Sequence, residues 1–176
     1  MADLPLRLDS FAKIFPNCCQ SHLIAIDLGS TMEKKSKNVY PSVPRVGVGA
    51  IVIHEGKVLL VKRGVEPSRG LWAIPGGTLH LGETLQDCAA REIFEETGIT
   101  IQVGKCIYVF DYFERDEKGK IKFHFVIVDF TGEYIEGKAQ GADDAEEARW
   151  FSPKELRQLP VAKNTLTALK EIGFLK

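Results

Sequence analysis

The sequence predicts an α/β domain in which a mixed β-sheet lies between helices. Three observations lead to this fold class: β-branched apolar runs are joined in pairs by turns, one capped helix lies mid-chain, and helical segments close the chain. The paired runs are typical of antiparallel hairpins, so a purely parallel sheet of βαβ units is excluded. The length of 176 residues suits one substantial core and is short for two ordinary domains.

The first 42 residues are expected to form an N-terminal extension on a domain that spans residues 43–176. Residues 11–15 and 23–28 are apolar enough to pack, whereas residues 29–44 are polar and rich in turn formers. The extension is compatible with a short helix, an added strand or a partly disordered stretch, and the sequence leaves these alternatives open.

Composition and charge are those of a soluble globular protein. Apolar residues make up 44% and charged residues 27% of the chain, and 23 basic against 24 acidic residues give a net charge of −1. We therefore expect no binding of long nucleic acid. No apolar run approaches the length of a membrane span, and the start lacks the pattern of a signal peptide, so a cytoplasmic protein without membrane contact is expected. The cysteines form no CxxC pair and are expected to be free thiols, with Cys88 in the core.

The ordered part begins with a predicted hairpin. Its strands are the apolar runs 46–53 and 58–61, which flank a short turn that contains Gly56. Lys62 and Arg63 end the second run. They are either a solvated strand end or a pair of diphosphate contacts, in which Arg can bind bidentately. The segment Gly70 to Gly77 follows, and its Trp72 is expected to anchor the core rather than to stack on a base.

The stretch Gly77 to Ile99 contains the predicted central helix, at residues 85–97. Thr84 has N-cap chemistry, Asp87 can complete a variant of the capping box, and Gly98 is placed to end the helix. An apolar stripe repeats every four residues and predicts the buried face: Leu85, Ala89 and Ile93.

Three glutamates on this helix form a candidate site. Glu92, Glu95 and Glu96 have the spacing i, i+3 and i+4, which projects them from one patch of helix surface. Arg91 lies four residues before Glu95 and can pair with it. The patch is either a solvated helix face or a site for a hard divalent cation, which binds oxygen ligands. The preceding pair Gly76-Gly77 lets backbone groups approach such a cation or a phosphate.

The rest of the chain predicts a second hairpin, a loop, a short strand and two helices. Runs 100–113 and 121–130 form the hairpin, and the second run is apolar enough for the middle of the sheet. His124 in that run is expected to be structural. Residues 131–147 are expected to form a long acidic loop, followed by a strand at 148–151. Ser152 caps a short helical segment, with Pro153 at its first position, and a helix at 162–172 closes the chain.

The central stretch resembles the Nudix box, G-x5-E-x7-R-E-U-x-E-E-x-G-U with U apolar, at every position. The matching residues are Gly77, Glu83, Arg91, Glu92, Ile93, Glu95, Glu96, Gly98 and Ile99. The preceding segment, Gly70 to Gly77, resembles the G-x-W-x-x-P-G-G entry of many members of this family. The resemblance implies a Nudix-type α/β/α sandwich. It also implies a hydrolase that uses Mg²⁺ or Mn²⁺ to cleave a nucleoside diphosphate linked to another moiety.

The resemblance also suggests a role for each matching residue. Glu92 and Glu96 are the first choice as metal ligands, and Glu95 is a third ligand or, with Glu92, a candidate base for the attacking water. Glu83 is expected to bind a metal-bound water, and Arg91 to orient its neighbours. Three further assignments complete the expected site: a backbone carbonyl of Gly76 or Gly77, substrate contacts from Lys62 and Arg63, and one acid of the 131–147 segment, either Glu136 or Asp144.

The substrate is the least determined feature. The chain resembles the subgroup loosely described as ADP-ribose pyrophosphatases, so ADP-ribose is the preferred substrate. However, the downstream proline of one ADP-ribose group is missing, since no proline lies between Pro75 and Pro153. The alternative is pyrophosphohydrolysis of a nucleoside triphosphate, including an oxidised one. A nucleotide sensor without activity is less expected, because every acid of the box is present. A homodimer stays open as the oligomeric state.

Overall fold

The computed structural model describes residues 39–176 of the chain. These residues form a β-sheet with helices on both faces. The strands are β1 (Arg45–His54), β2 (Lys57–Arg63), β3 (Trp72–Ala73), β4 (Gly76–Thr78), β5 (Ile99–Arg115), β6 (Ile121–Gly137) and β7 (Ala145–Phe151). The helices are α1 (Leu85–Thr97), α2 (Pro153–Leu156) and α3 (Lys163–Glu171).

The sheet is mixed, as the sequence predicted. Its strand order is β3-β2-β1-β6-β5, with β4 paired to β1 and β7 paired to β2. Strand β1 is antiparallel to β2 and to β4 but parallel to β6. Strands β5 and β6 form the second hairpin, and β6 lies between β5 and β1, which confirms its central position.

Alternation along the central strands divides the core into two layers. Val48, Ala50 and Val52 of β1 pack with Ala89 and Ile93 of α1 on one face of the sheet. On the opposite face, buried residues of β1 and β2 pack with those of α2 and α3: Ile51, Val58, Leu60, Leu156 and Leu169. Because successive strand residues point to opposite faces, one apolar run supplies both layers. The predicted α/β/α sandwich is therefore confirmed.

The first hairpin turns where the sequence predicted it. Glu55 and Gly56 both have positive φ values, 49° and 71°, and lie between paired residues of β1 and β2. Two consecutive positive φ values suit the right-handed twist of the flanking strands, and glycine adopts such a value without a steric cost. Lys62 and Arg63 end the second strand, as the sequence predicted, and both pair with β7.

The long acidic loop was a wrong prediction. Strand β6 continues to Gly137 and β7 begins at Ala145, so the loop is only residues 138–144. The physical reason lies in β5, which begins directly after α1. Its first residues pair with the acidic stretch, for example Ile101 with Tyr134 and Thr100 with Glu136. The glutamates of this stretch lie on exposed positions of a strand, where charged side chains need no loop to reach solvent.

Two predicted core residues are buried. Trp72 is 4% exposed and meets the Phe151 ring edge-on, with the ring centroids 4.6 Å apart. This places it in the core, as the sequence predicted, and leaves no free ring face for a base. Cys88 is fully buried on α1. No helix in residues 39–176 is long and apolar enough to span a membrane. The predicted extension, residues 1–42, lies almost entirely outside the described residues.

Candidate active site

Helix α1 begins and ends at the predicted residues because both ends are capped. The Thr84 hydroxyl oxygen accepts the backbone N–H of Asp87 at 3.1 Å and donates to the Asp87 carboxylate at 2.7 Å. Gly98 has a φ of 68°, and its N–H donates to the carbonyl of Phe94. The caps satisfy backbone groups that have no partner within the helix. They therefore fix where α1 begins and ends.

Arg91 connects three carboxylates of this region. Its Nε and Nη2 atoms donate to the two oxygens of Glu83 at 2.7 and 2.9 Å. Its Nη1 atom donates to Glu92 at 2.7 Å and to Glu95 at 2.9 Å, so the expected pairing with Glu95 is present. The guanidinium lowers the pKa of Glu83 to about 2, and the carboxylates in turn raise the pKa of Arg91. Arg91 thus stays charged and fixes the direction of its partners.

Glu92 and Glu96 face the backbone that precedes α1. They are 9% and 5% exposed, and one oxygen of Glu96 accepts the N–H of Gly76 at 2.9 Å. A Cβ atom on Gly77 would overlap the carboxylate of Glu92, so only glycine allows this close approach. Burial raises the pKa of Glu96 to about 8 and raises that of Glu92 as well.

Glu95 is placed differently from the other two glutamates. Its side chain is 46% exposed, whereas that of Glu92 is 11% exposed. The i, i+3, i+4 spacing therefore gives two buried carboxylates and one that points toward solvent. The reason is that β4 lies against only one side of the patch. The spacing of residues along a helix does not predict where a neighbouring strand lies.

Of the two acids proposed in the 131–147 segment, the structure brings only Asp144 to the helix. The charges of Asp144 and Arg63 both act on the pKa of Glu96. The loop that carries Asp144 is held in place by backbone hydrogen bonds, from Ala142 N–H to the Glu96 carbonyl and from Gly64 N–H to the Asp144 carbonyl. Glu136 is exposed on β6, where it pairs with β5.

The two basic residues at the end of β2 also differ. Arg63 is close enough to Glu96 to act on its pKa, and its Nε atom donates to the carbonyl of Pro67 at 2.8 Å. Lys62 points to β7, where its ammonium group lies 3.4 Å from carboxylates of both Glu146 and Glu147. Adjacent strand residues point to opposite faces of the sheet, which explains why only Arg63 of this pair lies near Glu96.

Sequence reasoning missed Asp129, a buried acid on β6. It is 4% exposed, and burial alone raises its pKa to about 6. The available signal was an acid inside the apolar run 123–130, in a strand already expected to be central. An ionised carboxylate is costly to bury without a partner, so such an acid indicates either a neutral group or a function.

The oxygen donors fit a hard divalent cation. Within residues 39–176 no three His, Cys, Asp or Glu side chains form a ready-made metal cage. Mg²⁺, however, is usually held by one or two carboxylates and completes its shell with water and substrate phosphates. Glu92 and Glu96 supply two carboxylates whose burial disfavours an uncompensated charge. The site therefore offers oxygen donors of the kind that Mg²⁺ binds. Because two carboxylates fill only part of the coordination shell, room is left for a substrate phosphate.

Comparison with known proteins identifies the family. The family model described as NUDIX domain matches residues 43–171. An ADP-ribose pyrophosphatase of Methanocaldococcus jannaschii is 36% identical over 116 residues, which are 66% of this chain and 66% of that protein. Phosphatase NudJ of Escherichia coli is 34% identical over 125 residues, which are 71% of this chain and 79% of NudJ.

A solved structure agrees with both matches. The MutT NUDIX hydrolase of Burkholderia pseudomallei is 30% identical, with a TM-score of 0.64 over 74% of this chain and 98% of that one. The chain therefore belongs to the Nudix hydrolase family. Its class is that of enzymes acting on pyrophosphate bonds, and members of this family generally use divalent metal ions.

Proposed function

We propose that the protein hydrolyses the diphosphate linkage of a nucleoside diphosphate derivative, with ADP-ribose as the preferred substrate and Mg²⁺ or Mn²⁺ as cofactor. The observation that carries this proposal is the burial of Glu92 and Glu96 against the Gly76-Gly77 backbone. Two carboxylates buried against the same stretch of backbone suit a bound cation better than a solvated helix face.

A diphosphate carries negative oxygens that repel an attacking water. Glu92 and Glu96 would hold a divalent cation, which would supply charge compensation for these oxygens and for the leaving phosphate. Arg91 keeps Glu92 and Glu95 oriented, and Glu95 is exposed enough to take a proton from water. Arg63 faces the same acids and can bind a phosphate oxygen.

The remaining residues receive weaker assignments. Glu83 accepts two hydrogen bonds from Arg91 and supports the site by holding that side chain in place. Of the two acids in the 131–147 segment, Asp144 is favoured over Glu136, because its charge acts on the pKa of Glu96. Lys62 is paired with β7 and would have to leave Glu146 and Glu147 before it could bind substrate.

ADP-ribose is preferred because a relative with 36% identity is an ADP-ribose pyrophosphatase. The alternative is cleavage of a nucleoside triphosphate, which also contains a diphosphate linkage. Both reactions use the same glutamates and differ in the group that follows the diphosphate.

The test is a hydrolysis screen with Mg²⁺ and with Mn²⁺ over ADP-ribose, NADH, dinucleoside polyphosphates, sugar nucleotides and nucleoside triphosphates. We expect the highest kcat/KM with ADP-ribose. Glu96→Gln should lower kcat by about a hundredfold or more, because it removes a charge that faces the cation. Glu171→Gln, at an exposed position of α3, is the matched control and should leave kcat unchanged. Unaltered turnover in Glu96→Gln would contradict the assignment of α1.

A further inference from the structure

The segment that leads into α1 is attached to the C-terminal part of the chain. The N–H of Trp72 donates to the carbonyl of Pro160 at 2.9 Å, and the N–H of Ala162 donates to the carbonyl of Trp72 at 2.8 Å. Trp72 also lies parallel to Val161, so β3 has two neighbours, β2 and residues 160–162. These backbone contacts hold Trp72, whereas the bend before β4 lies at residues 74 and 75.

Thr165 extends this attachment to the bend itself. It lies in the first turn of α3 and is 4% exposed, and its hydroxyl oxygen accepts the N–H of Ile74 at 3.2 Å. The next residue, Pro75, has no N–H, and its carbonyl accepts the N–H of Ala50 at 3.4 Å. The bond to Thr165 is the shorter of these two, and it comes from a helix rather than from the sheet. The position of the bend therefore depends on one hydroxyl group of α3.

The bend lies next to the backbone group that binds Glu96. Gly76, two residues after Ile74, donates its N–H to a Glu96 oxygen at 2.9 Å. The peptide units between Ile74 and Gly76 are planar and the ring of Pro75 fixes φ, so few bonds can rotate to absorb a movement of Ile74. Such a movement would therefore change the direction of the Gly76 N–H. This gives Thr165 a route to Glu96 through three consecutive residues.

We propose that Thr165 is a positioning residue, whose hydroxyl fixes the bend through Ile74 and so directs the N–H of Gly76 at Glu96. The catalytic consequence of this inference rests on the proposed function, but the attachment itself can be tested without any substrate. If the hydroxyl only satisfied a buried N–H, its loss would destabilise the whole domain without a separate effect at Gly76. The experiment therefore compares local opening with global opening.

The structural test uses hydrogen exchange of the backbone amide of Gly76, measured in the full chain without metal. The amide of Val128, which lies between β1 and β5, reports opening of the whole sheet. Thr165→Val keeps the shape of the side chain but removes the hydroxyl, whereas Thr165→Ser keeps the hydroxyl. We expect the ratio of the Gly76 rate to the Val128 rate to rise about tenfold in Thr165→Val and to stay within about twofold of the wild type in Thr165→Ser.

The matched control is Thr167→Val, the same substitution on the same helix. The Thr167 hydroxyl donates to the carbonyl of Lys163 within α3 at 3.1 Å, so the ratio should not change. Thr165→Ala and Thr165→Ser form a second pair, which applies even if Thr165→Val does not fold: both lose the methyl group and only Ser keeps the hydroxyl. Equal ratios in Thr165→Val and Thr167→Val would overturn the proposal. So would a ratio in Thr165→Ser as high as in Thr165→Ala.

Activity then shows whether the attachment matters for the reaction. Because Thr165 is buried and acts through Gly76, we expect Thr165→Val to lower kcat about fivefold with less than about a twofold change in KM for the preferred substrate. Thr165→Ser should stay near the wild type. Loss of Gly76 protection in Thr165→Val without any loss of kcat would overturn the catalytic part. If the exchange results hold but even the wild type hydrolyses no diphosphate substrate, the proposed function fails and the positioning contact stands.

Discussion

Arg91 makes hydrogen bonds to three glutamates, but these bonds do not have equal thermodynamic weight. Glu83 is 14% exposed and receives two bonds from the guanidinium, whereas Glu95 is 46% exposed and receives one. Solvent screens the exposed pair, and such pairs contribute little to stability. The pair with Glu83 is the one that lowers a pKa strongly, to about 2.

This pair predicts how stability depends on pH. The folded-state pKa of Glu83 lies below its ordinary value of 4.5, so its stabilising contribution is present above pH 4.5 and is lost as the pH falls toward 2. The shift corresponds to about 3 kcal/mol at neutral pH. Glu83→Gln should therefore lower the free energy of unfolding at pH 7, and the difference from the wild type should shrink below pH 4.5. Urea unfolding across this range measures the difference.

The control for this measurement is Glu114→Gln. Glu114 pairs with Lys122 at 3.4 Å, but its side chain is 40% exposed, so its removal should change the free energy of unfolding by less than about 1 kcal/mol. A loss in Glu83→Gln that stays the same at pH 7 and at pH 3 would show that packing, and not charge, stabilises this contact.

For individual site residues, the sequence predicted those contacts that follow from spacing along one helix. The pairing of Arg91 with Glu95 follows from four residues of separation. The burial of Glu96 does not follow, because it depends on where β4 lies. Asp129 was missed for a related reason: a strand residue can be read as facing solvent or core only after both faces of the sheet are known, and here both are covered.

At the scale of the element, α1 depends on its N-terminal cap. The Thr84 hydroxyl accepts the N–H of Asp87, and its loss would leave that group without a partner at the start of the helix. Thr84→Ala should lower the free energy of unfolding by about 1 kcal/mol. Thr84→Ser keeps the hydroxyl and should retain most of the stability. Urea unfolding of both variants decides, and an equal loss in the two would exclude the cap as the cause.

The elements were predictable where two independent signals agree. Helix α1 has a cap at each end and an apolar stripe, and its bounds match the prediction. The hairpin of β5 and β6 was recognised, but its arms are 17 residues long and extend into a stretch rich in acids. Charge density indicated a loop there. Pairing with β5 makes this stretch part of a strand instead. A contact between residues so far apart in the chain cannot be predicted from the local sequence.

At the scale of the whole molecule, the sheet separates the candidate site from half of the core. Glu92, Glu96 and Ile93 all lie on α1, which packs on one face of the sheet. Leu156 of α2 packs on the other face. An alanine substitution in either layer removes a similar apolar volume and leaves a cavity. Only the cavity in the layer of Ile93 lies under α1, the helix that carries Glu92 and Glu96.

Ile93→Ala and Leu156→Ala test this separation. Both residues are at most 3% exposed, so each substitution should lower the free energy of unfolding by about 3 kcal/mol. Assayed at a temperature at which both variants remain folded, Leu156→Ala should keep kcat within about twofold of the wild type, because α1 is undisturbed. Ile93→Ala should lower kcat and raise the Mg²⁺ concentration for half-maximal activity, since α1 settles into the cavity and moves Glu92 and Glu96. Equal kcat in the two variants would mean that the position of α1 does not control the site.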